Sequence, residues 1–496
     1  MNPLEKNLSE LAQRVVENNL WRQRRCFNLI PSENTPSILV KLCEISDPSG
    51  RYAEHKTALR REIESLAGSK AIKGDQIYYY QGTDLIFEVE ERLKSEFGRF
   101  IHGSEVETRP ISGQMANEIV FKATVKFLAS NPEGYPRLGP TNRLTGVMNN
   151  NLNYGGHLSA QPFGALFNFV DGDVVHFPLD SANPYKTDSG AMLDLVERHR
   201  PPLIVFGKSM FLHPEPVGAL RRHLDRMDGY RPVVIYDGAH VLGVLGPHFQ
   251  DPLAEGADVV TGSTHKTFFG PQRGIIASNI ARSSPMRKLW TEVNARAFPG
   301  STSNHHLGSQ LAMLAATLEM NHFNDEYQKQ VLSNARAFAR ACAARGIPVE
   351  GGEADGYTST HQVVIRVSSF GDGKDIARQL EESNIVTNFQ ALPDDETFYY
   401  PSGIRMGVQE MTRFGMQAGD FDPLAGFIAD VILRKKDVAG EVAEYRRRFH
   451  TMRYCLSHEE TLRIAPAIME SLFSDHAYFA AFAAALAPGG RAQAGS

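Results

Sequence analysis

The chain has 496 residues, 52 Lys+Arg against 57 Asp+Glu, a net charge of −5, and 42% hydrophobic and 22% charged residues. These proportions suit a globular enzyme of up to about three domain-sized units and exclude a disordered chain. The near-balanced charge provides no basic stripe to hold nucleic acid. No stretch approaches the ~18 uninterrupted apolar residues of a membrane span. The N-terminal pattern of Glu5, Lys6, Glu10 and Arg14 has no signal-peptide core. Cys26, Cys43, Cys342 and Cys455 are scattered, form no Cys-x-x-Cys pair and read as reduced thiols. A cytoplasmic protein without nucleic-acid or membrane partners is expected.

In chain order, residues 1–87 read as a helical arm followed by an insertion, 88–303 as a large domain, and 304–496 as a linking helix and a small domain. Within the large domain, segments 202–206, 233–236, 257–261 and 274–277 are short, apolar and β-branched, the pattern of buried parallel strands. Helical stretches between them, such as 217–226, imply βαβ units. A long helix is expected over 307–345. A smaller α+β unit follows, with a strand at 362–367, helices near Ala377 and Phe421, and a helical end over 439–487. The small-residue terminus 488–496 is expected to fray. The fold class is α/β, a large domain on a mostly parallel sheet with a smaller C-terminal α+β domain.

The sharpest chemical signal is Asp258-Val-Val-Thr-Gly-Ser-Thr-His-Lys-Thr-Phe-Phe-Gly-Pro-Gln-Arg-Gly274. A strand ends in a hydroxyl-rich turn that delivers His265 and Lys266 past its carboxyl end, where open α/β sheets bind ligands. A lysine in a polar loop is ordinarily a solvated surface group. Desolvated beside another cation, the same amine becomes a Schiff-base nucleophile. Upstream, Val234-Ile-Tyr-Asp-Gly-Ala-His-Val-Leu-Gly243 places Asp237 at a strand end with His240 three residues later. Taken alone, Asp237 reads as a helix cap. Paired with Lys266 on one sheet, it fits a carboxylate facing a protonated pyridine nitrogen.

Eight segments carry a family resemblance: Leu29-Ile-Pro-Ser-Glu-Asn34, Arg51-Tyr-Ala-Glu54, Tyr79-Tyr-Gln-Gly82, Arg109-Pro-Ile-Ser-Gly-Gln-Met-Ala-Asn117, Tyr154-Gly-Gly-His-Leu158, Asp237-Gly-Ala-His240, Thr264-His-Lys-Thr267 and Ser402-Gly-Ile-Arg-Met-Gly407. In this order they resemble the serine hydroxymethyltransferase family, enzymes of pyridoxal 5'-phosphate fold type I. The resemblance implies that Lys266 carries the cofactor, Asp237 meets its ring nitrogen, His157 stacks on its ring, and His240 and Ser209 touch its phenolic oxygen. Ser112 and Gly113, ahead of a helix beginning near Met115, would offer N–H groups to its phosphate, and His265 adjoins the lysine. Arg405 is the implied clamp on the amino-acid carboxylate, assisted by Ser32 and by Tyr52 of a neighbouring subunit. Glu54 matches the acid–base carboxylate, Tyr80 belongs to the catalytic set, and Glu33 is a second carboxylate with an equally plausible structural role. A homodimer or dimer of dimers is implied.

The chain departs from the family at several places. Tyr154 replaces a histidine, and residues 55–78 replace a short loop at the mouth of the site. Thr302-Ser-Asn-His-His306 replaces a Gln-Gly-Gly-Pro loop. Asn388-Phe-Gln-Ala-Leu-Pro393 alters the segment used on the folate pterin, which makes tetrahydrofolate doubtful. The segments Ser303-Asn-His-His306 and Gly407-Val-Gln-Glu-Met-Thr-Arg413 resemble a side branch, the L-threonine transaldolases of antibiotic biosynthesis.

The leading expectation is therefore a cofactor-dependent aldol enzyme that cleaves a β-hydroxy-α-amino acid and adds the resulting glycine carbanion to an acceptor aldehyde. The alternative is tetrahydrofolate-dependent hydroxymethyl transfer to or from serine or α-methylserine. Transamination and racemisation use the same fold. A non-catalytic scaffold would not have kept Lys266, Asp237 and Arg405 together. No metal centre is expected from His240, His265, His305 and His306, whose spacing completes no ligand set.

Overall fold

Seven strands form the central sheet in the spatial order Glu105–Glu107, Gly274–Ser278, Val259–Ser263, Val233–Asp237, Leu203–Gly207, Leu144–Asn149, Val170–His176. The computed structural model describes residues 2–66, 68–397 and 399–486, so the terminus at 488–496 lies outside it. Strands 203–207, 233–237 and 259–263 are buried at every position, because helices cover both faces. On one face, Gly113–Leu128 and Arg287–Ala297 pack Phe127, Trp290 and Val293 against Val205, Ile235 and Ile276. On the other, Asp84–Ile101 and Leu307–Ala343 bring Leu93, Phe97 and Met313 into the core with Val234, Tyr236 and Val260. Each such side chain contributes roughly 1.5–3 kcal/mol on burial.

The segment 274–277, expected as a parallel strand, is antiparallel to its neighbour, with Val260 opposite Ala277 and Ser263 opposite Gly274. Only residues 264–273 link the two strands. That turn is too short for the crossover of a dozen or more residues that a parallel return requires. The sheet is otherwise parallel from Val259–Ser263 to Val170–His176.

In the smaller unit, Gly403–Gly407 lies antiparallel between Gln362–Arg366 and Asn388–Gln390, with both Val364 and Asn388 opposite Arg405. Phe27–Asn28 pairs in parallel with Ile385–Val386, which carries loop 29–34 towards the large sheet. The insertion folds as a three-stranded patch, His55–Thr57 and Ile72–Lys73 flanking Gln76–Tyr78, with a short helix at Arg60–Ser65. The helical end consists of Ala439–Arg446, His458–Ser471 and His476–Leu486. The first helix, Pro3–Arg24, buries no residue. No described helix is long and apolar enough to cross a membrane, and the four cysteines are free.

Candidate active site

Parallel pairing sets Gly207 beside Asp237 and Asp237 beside Thr261, so two adjacent strands end at one level and the third runs two residues further. Asp237 is 1% exposed at the end of its strand. Its Oδ2 accepts from Asn117 Nδ2 at 2.7 Å and faces His157 Nδ1 at 2.5 Å, while its Oδ1 accepts from the Ala239 N–H at 3.0 Å. Burial alone would raise this carboxyl, but the His157 charge and these hydrogen bonds hold it below the usual range. Lys266 lies in the following turn, 8% exposed. Burial, with Asp237 opposing and the Arg405 cation assisting, brings its amine down to about 8. The neighbouring His240 is pushed well below the ordinary histidine value by burial and then by Lys266 and Arg405. Its ring stands edge-on to His157, centroids 5.6 Å apart, and its buried Nδ1 has no partner.

An anion cradle sits at the start of helix Gly113–Leu128, two residues earlier than expected from the sequence. The Ser112 Oγ accepts from the Met115 N–H at 3.1 Å, capping the helix. A Cβ on Gly113 would lie 2.2 Å from Ser263 Oγ, so a larger residue there would displace the Ser263 hydroxyl or the helix start. Ser209, just past strand Leu203–Gly207, turns its Oγ to the carbonyls of Gly155 and Gly156 at 3.3 and 3.4 Å. The Ser209 carbonyl accepts from Arg405 Nη1 at 2.6 Å.

Arg405 is 8% exposed, and burial lowers its guanidinium to about 10. Its remaining contact is a long one to Asn388 Oδ1 at 3.4 Å. Among the described residues no carboxylate pairs with it, so it is a buried cation suited to an incoming anion.

Loop 29–34, which carries Ser32, closes on itself through the Glu33 N–H to the Ile30 carbonyl at 3.2 Å and is otherwise fixed by distant groups. The Gly407 N–H donates to the Leu29 carbonyl at 2.7 Å, and Gln409 Nε2 donates to the carbonyls of Ile30 and Glu33 at 2.9 and 2.7 Å. His361 Nε2 reaches the Pro31 carbonyl at 3.1 Å, and Asn34 Nδ2 donates to the Lys266 carbonyl at 2.7 Å. Asn34, Asn117, Ser263, His361 and Gln409 were not singled out as site residues from the sequence. His361 is fully buried, and burial takes its ring down to about 3. Glu33 is partly exposed and lies 3.5 Å from Arg22. His265 lines a cavity with Ser32, Asn34 and Glu410, and burial lowers its ring to about 4.

A second group forms elsewhere on the chain. The rings of Tyr52 and Tyr80 lie 4.9 Å apart and are 42% and 41% exposed. The Tyr52 hydroxyl reaches Ser303 Oγ at 3.2 Å, and the Glu54 carbonyl accepts from the Tyr79 N–H at 3.0 Å. Among the described residues no hydrogen bond joins Tyr52, Glu54 or Tyr80 to Lys266, Asp237 or Arg405. Hydrogen bonds, ring contacts and charge interactions within one chain link Lys266, Asp237, His157, His240, Ser209 and Arg405, and among the described residues none of these links Tyr52, Glu54 or Tyr80 to them.

A family model described as serine hydroxymethyltransferase matches residues 4–428. The chain is 39% identical over 455 residues to serine hydroxymethyltransferase from Pyrobaculum aerophilum, covering 91% of this chain and 95% of that protein. This chain belongs to the serine hydroxymethyltransferase family. A second member, from Archaeoglobus fulgidus, is 35% identical over 460 residues, with 92% and 94% covered. Among solved structures, the L-threonine transaldolase from Pseudomonas fluorescens in its internal aldimine state superposes with a TM-score of 0.76. That similarity is at 25% identity and covers 94% of this chain and all of the other.

The protein is thus a serine hydroxymethyltransferase-like transferase or aldolase, and its cofactor is pyridoxal 5'-phosphate. The residues present fit that group. A buried amine, an anionic buried aspartate, an unpartnered imidazole nitrogen on His240 and a helix start at Gly113 lie at one end of the sheet.

Proposed function

We propose that this chain is an L-threonine transaldolase, cleaving the Cα–Cβ bond of a β-hydroxy-α-amino acid and adding the glycine unit to an acceptor aldehyde. The observation that carries the reading is the state of segment 388–393, which the resemblance matches to the family's pterin segment. Asn388 Nδ2 donates to the Phe389 carbonyl at 2.8 Å and its Oδ1 faces Arg405, while Gln390 Nε2 donates to the Ala391 carbonyl at 3.2 Å. Both amides are turned onto their own chain, and what projects is Phe389, 46% exposed. A pterin entering there meets an apolar ring instead of amide partners, a loss of roughly 1–3 kcal/mol for each unpaired polar group. A small aldehyde makes no such demand.

When bound, pyridoxal phosphate supplies an electron sink for the carbanion left at Cα. The chain supplies the rest. Lys266 is the amine that attaches the cofactor, and its lowered basicity keeps a substantial unprotonated fraction near pH 8. Asp237, oriented by Asn117 and Ala239, holds a proton on the ring nitrogen. His157 would stack on the ring, His240 would bond its phenolic oxygen, and the helix start at Ser112 and Gly113 would take the phosphate. Arg405 grips the substrate carboxylate with a two-pronged donor, assisted by Ser32 of the tethered loop as the family resemblance implies. Glu54 receives the proton of the β-hydroxyl as the carbon–carbon bond opens and returns it to the new alkoxide. This reading takes the protein as a homodimer in which Tyr52 reaches the site of the neighbouring subunit, as the family resemblance implies.

The second reading is tetrahydrofolate-dependent hydroxymethyl transfer, supported by the name of the relatives 35–39% identical to this chain. Both reactions share the amino-acid half of the site and diverge at the acceptor. Calorimetric titration of the glycine-saturated holoenzyme with tetrahydrofolate separates them. No binding is expected up to about 1 mM, a free energy weaker than about −4 kcal/mol. Micromolar binding would restore the folate reading.

A further inference from the structure

Outside the active site, three buried side chains converge on one point. His55 Nε2 lies 2.7 Å from Glu90 Oε2, and His305 Nε2 lies 2.5 Å from Glu90 Oε1. Exposures of 3%, 1% and 1% seal them from solvent, and their ligand atoms all lie within 4.8 Å of one another. They come from the first residue of the insertion, from helix Asp84–Ile101, and from the replaced loop 302–306. Tyr78, the last residue of the insertion, donates its hydroxyl to Glu90 Oε2 at 2.8 Å and stacks on the His55 ring, centroids 4.5 Å apart. Both ends of the insertion and the replaced loop therefore meet at one carboxylate.

The hydrogen positions at His55 are informative. Gln76 Nε2 donates to Asp75 Oδ1 at 3.0 Å, which points its Oε1 at His55 Nδ1, 3.3 Å away. His55 Nδ1 is then the N–H, and in the neutral ring Nε2 carries the lone pair. That buried Nε2 has no hydrogen-bond partner of acceptable direction, although Glu90 Oε2 is 2.7 Å off. A proton on Nε2 would make this contact an ion pair, and a cation lying against both atoms would satisfy it equally. An imidazole whose far nitrogen donates to an amide oxygen while the near one faces a carboxylate has the second-shell arrangement of a metal ligand.

We propose that His55, Glu90 and His305 form a site for a divalent cation of the zinc class, with water in the fourth position. Two imidazoles and one carboxylate suit Zn2+, whose bonds of about 2.0–2.2 Å require the present contacts to open by about 0.7 Å. The Arg273 guanidinium, held by the carbonyls of His305, His306 and Thr108, acts on the same carboxylate and moderates the affinity. The ion clamps the base of the insertion to loop 302–306, where Asn304 Oδ1 accepts from the Ala53 N–H at 3.3 Å. It thereby steadies the segment that carries Tyr52 and Glu54. Because it touches neither Lys266 nor Arg405, its test is independent of the acceptor substrate.

The test strips the holoenzyme with a chelator, reloads it with Zn2+ and removes excess metal before elemental analysis. About one zinc per chain is expected in the unsubstituted protein, with a melting temperature raised by about 3 °C or more. Glu90→Gln and His305→Asn are expected to lose both the metal and the shift while retaining cofactor absorbance. Retention of less than about a tenth of an equivalent by the unsubstituted protein, or equal retention by the variants, overturns the site. Should the variants fail to fold, X-ray absorption on the zinc-loaded unsubstituted protein decides. Histidine scattering around a first shell at about 2.0–2.2 Å is expected, and a shell without histidine overturns the proposal.

Discussion

His157 Nδ1 and Asn117 Nδ2 meet the same oxygen of Asp237, at 2.5 and 2.7 Å, leaving a buried carboxylate with its charge fixed and its direction set. Asp237→Asn preserves the shape and removes the charge. Loss of one preorganised electrostatic group of this kind lowers turnover roughly 10²–10³-fold. Steady-state kinetics should show that fall with cofactor content unchanged. Turnover near that of the unsubstituted protein would contradict the role given to Asp237.

Lys266 carries a pH prediction. Its amine titrates near 8 instead of 10.5, chiefly through burial, with Asp237 opposing and Arg405 assisting. Only the unprotonated amine attacks an aldehyde, so the rate at which the apoprotein takes up pyridoxal phosphate should rise with pH through about 8 and level off above it. Mixing experiments followed by absorbance check this, and a midpoint near 10.5 would contradict it. Lys266→Ala should abolish the visible absorbance of the covalent adduct. A reducible lysine adduct persisting in that variant would show that another lysine holds the cofactor.

Much of this was legible in the sequence because it is local. Strands 203–207, 233–237 and 259–263 are short apolar runs ending in Gly, Asp and Ser, and the turn after the last delivers Lys266. The direction of strand 274–278 was misread because the length of its linking turn, not its apolar content, decides its sense. Asn34 and Gln409 stand inside the quoted motifs, but their partners do not show there. Each bonds backbone far away in sequence, Asn34 to the Lys266 carbonyl and Gln409 to Ile30 and Glu33, so no spacing betrays them. The grouping of His55, Glu90 and His305 was invisible in the same way, since only the folded chain brings the insertion and loop 302–306 onto one helix.

Arg405 lies in the smaller unit and donates across to the Ser209 carbonyl at 2.6 Å, and no described carboxylate neutralises it. Truncating one side of a buried charge pair costs about 2–5 kcal/mol. Arg405→Ala is accordingly expected to raise KM for the amino acid by roughly 30-fold or more. Arg405→Lys should recover only part of that, because an ammonium cannot form the two-pronged contact. An unchanged KM in the alanine variant would place the substrate carboxylate elsewhere.

Gly113→Ala tests the anion cradle. The added Cβ would sit 2.2 Å from Ser263 Oγ, so the helix start must shift or Ser263 must turn into the space meant for the phosphate. Cofactor affinity, read by equilibrium titration, should fall about tenfold or more, a change of about 1.4 kcal/mol. The circular dichroism of the apoprotein should stay the same. Undiminished affinity would move the phosphate away from this helix.

The central claim concerns the acceptor, and the most direct measurement is acetaldehyde release from L-threonine by the holoenzyme without folate, with and without an added aromatic or aliphatic aldehyde. Release that rises with the aldehyde, together with a new β-hydroxy-α-amino acid of the matching mass, is the predicted result. No release from threonine, with turnover of serine or α-methylserine only when tetrahydrofolate is present, would contradict transaldolation and assign the chain to hydroxymethyl transfer.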